Sequence, residues 1–272
     1  MPKVSVVTTV YNGMAYFDRA IPGILAQRFT DFEFIIVDDG SQDDTVERLR
    51  EVASRDSRIR IFTPGRLGFA AAVNYGIQQA TGEYIARQDF DDTSYADRLQ
   101  LQSQYLDAHP GVGVVGSYYV LVDDNRGERY VRMPPTDHAG IISAMARYIP
   151  FAHTMVMFRR QAWAQAGGYP EVPNLVDLRF WLELGKLGWR FANLPEVLGE
   201  HYVHASSFFH QSFRYVERQR DLAHVQARVV RELRLPGWMY VYSLGRHAYA
   251  YLPVGLKRAL RRSIGGLKER DV

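Results

Sequence analysis

Short apolar runs alternate with segments of helical periodicity along the first third of the chain. The runs have the length of buried strands, and the segments between them repeat apolar positions at helical spacing. In chain order, these elements lie at residues 4–10, 17–25, 34–37, 43–53, 59–62, 69–80 and 83–87. This alternation predicts a parallel sheet whose strands are joined by crossover helices.

From residue 112 onward, the strand-like stretches become longer and the pattern changes. In chain order, the elements predicted here lie at residues 112–122, 129–133, 139–147, 154–158, 178–187 and 209–233. The last of them is a heavily charged helix that leads into an aromatic and basic tail.

Together these elements predict an α/β fold with a single Rossmann-like, mostly parallel sheet flanked by helices. We assign residues 1–207 to this domain, in two halves at 1–110 and 111–207, and residues 208–272 to a helical C-terminal extension. A chain of 272 residues with 47% hydrophobic residues is long enough to bury a sizeable core.

Composition excludes some kinds of chemistry. The sequence has no cysteine, which excludes disulfides, thiolate metal ligands and a cysteine nucleophile, and fits a reducing compartment. It begins without the basic and apolar segments of a secretory signal, so we expect the protein in the cytoplasm. A sequence pI near 9.0 raises the alternative of a nucleic-acid binder, but no nucleic-acid-binding motif is found.

Acidic residues follow two of the predicted strands, at the sheet edge where ligands of open α/β sheets bind. The first group is Asp38 and Asp39, followed by Gly40 and Ser41. A carboxylate here can accept a hydrogen bond from a nucleobase imide or from ribose hydroxyls. The alternative is an ordinary turn in which Ser41 or Asp43 caps the next helix.

The second group places Asp89, Asp91 and Asp92 directly after the strand-like run at residues 83–87. Their mutual repulsion destabilises the loop unless a cation neutralises it, and oxygen ligands of this kind suit Mg²⁺ or Mn²⁺. The alternative is a solvated loop in which Asp92 or Thr93 caps the following helix.

Glycine-rich phosphate loops are absent from the sequence. No Gly-x-Gly-x-x-Gly follows the first strand, and no Gly-x-x-x-x-Gly-Lys is present, so neither a dinucleotide fold nor a P-loop is indicated. A bound diphosphate would then be neutralised by a metal ion and by basic side chains. Arg66, in the loop after the third predicted strand, is placed to contribute, although a lone loop arginine is more often only solvated.

Four ordered segments resemble the signatures of glycosyltransferase family 2, a large family of inverting enzymes with the GT-A fold. They are VSVVTTVYN at residues 4–12, FIIVDDGSQDDT at 34–45, GEYIARQDFDDTSYADRL at 82–99 and GGYPEVPNLVDLRFW at 167–181. The match is collinear to about residue 207 and is most similar to compact, non-processive members of the SpsA type. Four motifs in order are stronger evidence than any one of them.

The resemblance implies a nucleoside pocket at the ends of the first two strands. Thr9 and Tyr11 would line it, with Tyr11 offering a ring face to the base. Asp39 would contact the base, which fits uracil or thymine through the imide N–H and does not exclude guanine. The donor would therefore be a UDP-, dTDP- or GDP-linked sugar.

The same resemblance implies that the acidic group binds the diphosphate through a Mn²⁺ or Mg²⁺ ion. Asp91 and Asp92 would serve the ribose, the diphosphate and the metal, with Asp89 as the outer member of the D-x-D motif.

Further along the chain, the resemblance places the catalytic base at Asp177. Many relatives carry Glu-Asp there, whereas this chain has Val176, and a plain helix N-cap is the alternative for Asp177. His204 falls in a segment that can face the diphosphate of the donor. The arginine usual in that segment is Val203 here, and an exposed structural histidine is the alternative for His204.

These assignments imply an inverting single displacement, in which Asp177 removes a proton from an acceptor hydroxyl as the nucleoside diphosphate departs. The acceptor would be a glycan or a lipid-linked glycan of a bacterial cell surface, bound by residues 111–207. The alternative function is an inactive nucleotide-sugar-binding or scaffold protein, for which Val176 is the only support.

The tail favours a further partner, an anionic membrane surface. Aromatic residues at 238–242 and 249–252 precede six basic residues between Lys257 and Arg270. Residues 238–256 are too polar to span a bilayer, so the expected association is peripheral, at the inner membrane face. The alternative is that these rings pack back onto the domain.

Overall fold

The computed structural model describes residues 1–204, 215–252 and 270–271. The strands are β1 (Val4–Val10), β2 (Phe32–Asp38), β3 (Ile59–Phe62), β4 (Tyr84–Arg87), β5 (Thr93–Ser94), β6 (Val112–Asp123), β7 (Glu128–Arg132), β8 (Met157–Arg159), β9 (Arg190–Val203) and β10 (Arg270–Asp271). The helices are α1 (Phe17–Leu25), α2 (Thr45–Ala53), α3 (Phe69–Gln78), α4 (Arg98–Ala108), α5 (His138–Met145), α6 (Arg160–Gln165), α7 (Val176–Lys186), α8 (Tyr215–Glu232) and α9 (Tyr240–Ala250). Short 3₁₀ turns lie at Met14–Tyr16, His153–Met155 and Gly237–Met239.

These strands form one sheet in the order β10-β7-β6-β8-β4-β1-β2-β3, with β9 beside β6 and β5 paired to β9. In the first half, β1 pairs with β2 and β4, and β2 pairs with β3, all in parallel. In the second half, β8 runs antiparallel to β4 and β6, and β7 runs antiparallel to β6. The predicted parallel sheet is thus found in the first half, and the second half is mixed.

The apolar runs of the sequence arise because helices cover both faces of the sheet. Val7, Ile35 and Val37 pack on one face against α3 and α7, whereas Phe34 and Ile36 pack on the other against α1, α2 and α4. Successive strand residues therefore point into two different cores, and both sets are apolar.

The second half of the domain differs from the prediction at β8 and β9. The strand expected at residues 154–158 begins as the turn His153–Met155, and β8 starts only at Met157. β9 was not predicted, because Pro195 and Gly199 interrupt its sequence pattern. The structure accommodates Pro195 at a register shift, where β9 skips residues opposite β6.

The C-terminal helices pack on the domain. Val225, Val229 and Val230 of α8 enter the same core as Trp181 of α7. α9 lies against α8, and its Arg246 donates to Gln226 Oε1 at 2.9 Å. Nothing in the described segments forms a helix both long and apolar enough to cross a membrane. The boundary at residue 207 stays a prediction.

Candidate active site

Loops that carry polar residues follow β1, β2 and β4 at one edge of the sheet. β1 leads into Tyr11 and Asn12, and β4 leads into the acidic loop, which we define as residues 88–92. Asn12 ties β1 to the loop after β2, because its N–H donates to Ser41 Oγ at 2.8 Å and its Oδ1 accepts from Gln42 N at 2.8 Å. This bracing fixes the direction in which Tyr11 leaves the sheet.

Asp39, Arg66 and Tyr11 lie together at the end of β2. Asp39 is buried, and its Oδ1 accepts from the backbone N–H groups of Leu67 at 2.6 Å and Gly68 at 3.0 Å. Arg66 Nη1 lies 3.1 Å from Asp39 Oδ2, and the guanidinium carbon lies 3.7 Å from the centroid of the Tyr11 ring. Tyr11 and Arg66 are both exposed, so they form an open platform on which a planar base can stack.

Asp38 serves the turn after β2. Its Oδ1 accepts from Gly40 N at 3.1 Å and Ser41 N at 3.0 Å, and Gly40 has a φ of 84°, which favours glycine. Asp38 therefore stabilises the turn, while the Asp39 carboxylate contacts the loop after β3. Thr9 is a partly buried residue of β1, one position before the strand ends.

Asp92 is the most enclosed carboxylate of the acidic loop. Its side chain is fully buried, with Oδ2 lying 3.0 Å from His201 Nδ1 and Oδ1 accepting from Tyr202 N at 2.7 Å. Although burial opposes it, the negative charge of Asp92 raises the pKa of His201 to about 9, so the imidazole is protonated at neutral pH. Both oxygens of Asp92 thus anchor the loop to β9.

Asp91 is held by the residue that follows β9. His204 Nε2 lies 3.0 Å from Asp91 Oδ2, and the imidazole stacks on the ring of Tyr16 at a centroid distance of 4.7 Å. The His204 side chain is only 13% exposed, so it is not the exposed structural histidine of the alternative interpretation. Burial and the charges of Asp92 and Asp89 raise the pKa of Asp91 to about 6.

Asp89 contacts a buried guanidinium group, that of Arg87. Arg87 Nη2 donates to Asp89 Oδ1, and Thr154 Oγ1 accepts from Asp89 N at 3.1 Å. Although burial opposes ionisation, Arg87 holds the pKa of Asp89 below its usual value. Sequence reasoning did not single out Arg87, and its only signal is a charged residue at the end of an otherwise apolar strand.

Arg98, also missed from the sequence, lies fully buried beneath the acidic loop. Its guanidinium donates to Gln88 Oε1 at 3.0 Å, to Ser94 Oγ at 2.7 Å and to the backbone oxygen of Arg87 at 2.6 Å. Burial and the neighbouring charge of Arg87 lower the pKa of Arg98 to about 9. The two buried cations balance the carboxylates above them and fix both ends of the loop.

The donor set of the acidic loop fits a divalent metal that is shared with a substrate. Within the parts of the chain that the structure describes, no group of three or more carboxylate or imidazole side chains is arranged to hold a metal ion. Mg²⁺-type sites often need only one or two carboxylates, because substrate phosphates and water supply the remaining ligands. Burial and the two neighbouring carboxylates raise the pKa of Asp91, and a bound cation would favour its charged form.

Asp177 lies in the first turn of α7, partly buried, and its Oδ1 accepts from Leu178 N at 2.8 Å. The cap position of α7 is occupied by Leu175, whose φ of 57° is left-handed and therefore strained for a leucine. Burial, with a contribution from the charge of Asp89, raises the pKa of Asp177 to about 6. A carboxyl group tuned in this way is suited to proton transfer near neutral pH.

Comparison with known proteins gives a family and a set of relatives. The model of the family described as "Glycosyl transferase family 2" matches residues 5–166. EpsE of Bacillus subtilis (strain 168) is 34% identical, over 98% of this chain and 98% of its own length. The "O-antigen biosynthesis glycosyltransferase WbnJ" of Escherichia coli is 30% identical, over 80% of this chain and 86% of its own length.

Two solved structures share the fold. Staphylococcus aureus TarS 1-349 in complex with UDP-GlcNAc has a TM-score of 0.70 and 17% identity, over 97% of this chain and 80% of that chain. The mannosyltransferase PcManGT of Pyrobaculum calidifontis, in complex with GDP-Man and Mn²⁺, has a TM-score of 0.67 and 20% identity, also over 97% and 80%. At these identities the likeness shows the fold alone, and it is the GT-A fold.

Proposed function

The chain belongs to glycosyltransferase family 2, and we propose that it transfers a sugar from a nucleoside diphosphate sugar to a hydroxyl acceptor, with inversion at the anomeric carbon. The observation that carries this proposal is the juxtaposition of Asp177 with the acidic loop. Burial raises the pKa of Asp177, and the charge of Asp89 adds to this shift, which indicates that the base lies near the acidic loop. Inverting transfer needs a base on the side of the sugar opposite the leaving group.

On the acceptor side, Asp177 takes the proton of the attacking hydroxyl. The first turn of α7 holds the carboxylate through the N–H of Leu178, and Trp181, one turn further along the helix, is fully buried in the core. The base therefore stands on a rigid element, and its raised pKa matches the proton affinity that a general base needs near neutral pH.

On the leaving-group side, Asp91 and Asp89 face the diphosphate. Asp92 and Arg98 hold these two carboxylates in place from β9 and from beneath the loop. His204, already 3.0 Å from Asp91, contributes a further nitrogen donor on the same side. A divalent cation such as Mn²⁺ or Mg²⁺, bound between these residues and the donor, would neutralise the charge that develops on the departing diphosphate.

The base of the donor is assigned to the platform of Tyr11 and Arg66. A planar base stacks on the exposed ring, and the Asp39 carboxylate, with Thr9 nearby on β1, offers an acceptor for an imide N–H. Uracil, thymine and guanine all carry such a donor. PcManGT binds GDP-Man and TarS binds UDP-GlcNAc, so both kinds of base occur with this fold.

A hydrolysis and melting screen tests the proposed function. Purified protein is incubated with UDP-, dTDP- and GDP-linked sugars in Mn²⁺ and Mg²⁺, with oligonucleotides as a comparison. We expect one class of sugar nucleotide to raise the melting temperature and to be slowly hydrolysed, because water replaces the missing acceptor. Stabilisation without hydrolysis or transfer would favour the inactive binding protein, and stabilisation by oligonucleotides alone would favour the nucleic-acid binder.

The acceptor side of the proposal includes a membrane surface, since a lipid-linked glycan acceptor would lie there. α9 and the turn before it bury Met239 against the domain, but leave Trp238, Val241 and Leu244 exposed. The rings thus pack back only in part, and an apolar surface remains exposed on α9 and the turn before it. Lys257, Arg258, Arg261 and Arg262 lie outside the described residues.

Vesicle co-sedimentation tests this membrane hypothesis. We expect binding to vesicles that contain anionic lipid, weakening as salt screens the tail, because each basic residue contributes about 1 kcal/mol near such a surface. Replacing Lys257, Arg258, Arg261 and Arg262 together by glutamine should abolish binding. As a matched control, replacing basic residues remote from the tail, such as Lys3, should leave vesicle binding unchanged. Failure of the intact protein to bind anionic vesicles at low salt would contradict the hypothesis and leave the catalytic assignment untouched.

A further inference from the structure

His153 was not singled out by sequence patterns and has no part in the reaction as proposed above. It begins the turn His153–Met155, whose next residue, Thr154, accepts a hydrogen bond from the backbone N–H of Asp89 at 3.1 Å. The imidazole therefore stands directly beside the acidic loop. The imidazole forms part of the wall between the acidic loop and α7.

Three aromatic side chains, one of them on α7, contact the His153 ring. His153 Nε2 lies 2.9 Å from the hydroxyl of Tyr169, and the ring meets Phe69 and Trp181 edge-on at centroid distances of 5.9 and 6.2 Å. Trp181 lies one helical turn after Asp177 on α7. The imidazole thus spans the interval between the acidic loop and the helix that carries the base.

The Tyr169 partner is itself rigidly placed. Asn74 of α3 accepts from Tyr169 N at 2.8 Å through Oδ1 and donates to Tyr169 O at 2.8 Å through Nδ2. This two-point clamp holds the backbone of Tyr169, and burial keeps the pKa of its hydroxyl well above the usual value, so the group stays protonated. A side chain bonded to this hydroxyl has little freedom to turn.

One nitrogen of His153 remains available for a substrate. Nδ1 has no hydrogen-bond partner among the residues that the structure describes, and the His153 side chain belongs to a residue that is only partly buried. Burial of the ring and the charge of Arg87 lower the pKa of His153 to about 3, so the imidazole is neutral. A neutral group with one open nitrogen suits a sugar hydroxyl better than a phosphate.

We propose that Nδ1 of His153 hydrogen-bonds a hydroxyl group of the sugar that is transferred, making His153 a residue that selects and orients the donor sugar. This inference rests on the proposed function. In a single displacement, the anomeric carbon lies between the diphosphate held at Asp91 and the hydroxyl activated by Asp177. His153 lines that interval, on the wall between the acidic loop and α7. Within the described part of the chain, its contacts are with Tyr169, Phe69 and Trp181, and none is with Tyr11, Arg66 or Asp39 of the nucleoside platform.

The test compares a sugar nucleotide with the same nucleotide lacking its sugar. Calorimetric titrations with Mn²⁺ use UDP against UDP-glucose, dTDP against dTDP-glucose and GDP against GDP-mannose, and the pair that wild-type protein binds most tightly is carried forward. The two variants are His153→Gln, whose amide reaches Tyr169 in place of Nε2, and His153→Asn, whose shorter amide lies near the position of Nδ1.

We expect His153→Gln to weaken the sugar nucleotide about tenfold and to leave the nucleoside diphosphate unchanged, because only the contact to the sugar is lost. His153→Asn should retain most of the sugar nucleotide affinity. Tyr169→Phe, which removes the hydroxyl that fixes the ring, should also weaken only the sugar nucleotide. This second site keeps the test decisive if a His153 variant does not fold.

Equal weakening of both ligands would overturn the proposal, since it would mean that His153 only supports the acidic loop. Unchanged affinity for both ligands in His153→Gln and Tyr169→Phe would overturn it as well. Failure of the wild-type protein to bind any nucleoside diphosphate or sugar nucleotide would instead overturn the proposed function, and this inference with it.

Discussion

Asp177→Asn is expected to reduce turnover by about 10² to 10⁴ and to leave donor affinity unchanged. The amide cannot accept the proton of the acceptor hydroxyl. Its Oδ1 can still accept from the N–H of Leu178, at 2.8 Å in the structure, so the first turn of α7 is retained. Steady-state kinetics give the turnover, and calorimetric titration of the donor gives the affinity.

Asp137→Ala is the matched control for this substitution. Asp137 caps α5, with its Oδ1 accepting from Gly140 N at 2.9 Å, and it has no place in the candidate active site. Removing it should lower the free energy of unfolding by about 0.5 to 2 kcal/mol and leave turnover unchanged. Near-normal turnover in Asp177→Asn would show that another group is the base.

The pH dependence of the reaction follows from the raised pKa of Asp177, about 6. Protonation disables the base, so kcat/KM should fall as pH drops below about 6, and this acid limb should be absent from the residual rate of Asp177→Asn.

The same raised pKa also affects stability, because folding favours the protonated form of a group whose pKa is higher in the folded state than in the unfolded state. The Asp177 contribution to stability is therefore fully present below the ordinary pKa and is lost as pH rises through about 6.

Melting curves at two pH values check that sign. Relative to wild type, Asp177→Asn should gain thermal stability at pH 8 compared with pH 4, because it removes a charge that the folded state disfavours. A carboxylate that served mainly as a helix cap would behave in the opposite way, since its charged form would stabilise α7 at pH 8.

The first half of the fold could be predicted because its helices cover both faces of the sheet. Val7 and Val6 enter different cores, so the strand reads as a continuous apolar run with recognisable ends. β9 could not be predicted in this way. Pro195 and Gly199 break its pattern, and only pairing with β6 across a register shift makes it a strand.

The site was predictable where residues of one loop act together, and not where the partner is distant in sequence. The acidic loop is visible as a cluster of carboxylates, but the burial of Asp92 depends on His201 and Tyr202, more than a hundred residues later. Nothing in the local sequence distinguishes Arg98 from other residues of α4, and only the folded structure shows that it is fully buried. Tertiary contacts, not local pattern, decide which carboxylate anchors the loop and which faces a ligand.

Removal of divalent metal is expected to abolish turnover, and Mn²⁺ or Mg²⁺ should restore it. Such an ion stabilises charge on the leaving diphosphate by several kcal/mol, which corresponds to a rate effect of about 10² or more. Asp91→Asn should produce a loss of similar size, because it removes a carboxylate proposed to hold the metal ion. Turnover is measured after chelation with EDTA and again after the metal is added back.

The loss of activity caused by metal removal and the loss caused by Asp91→Asn are expected not to add. Measuring both together is therefore a sharper test than measuring either alone. If Asp91 acts through the metal, EDTA should weaken donor binding in wild-type protein and have little further effect on Asp91→Asn. The matched control is Asp97→Asn, which removes an exposed carboxylate paired with Arg28 at 2.7 Å, just beyond the acidic loop. It should keep full activity and full metal dependence, since an exposed ion pair contributes about 0 to 1 kcal/mol. Full activity of wild-type protein after exhaustive chelation would exclude the metal role, and an additive loss would place Asp91 in direct contact with the donor.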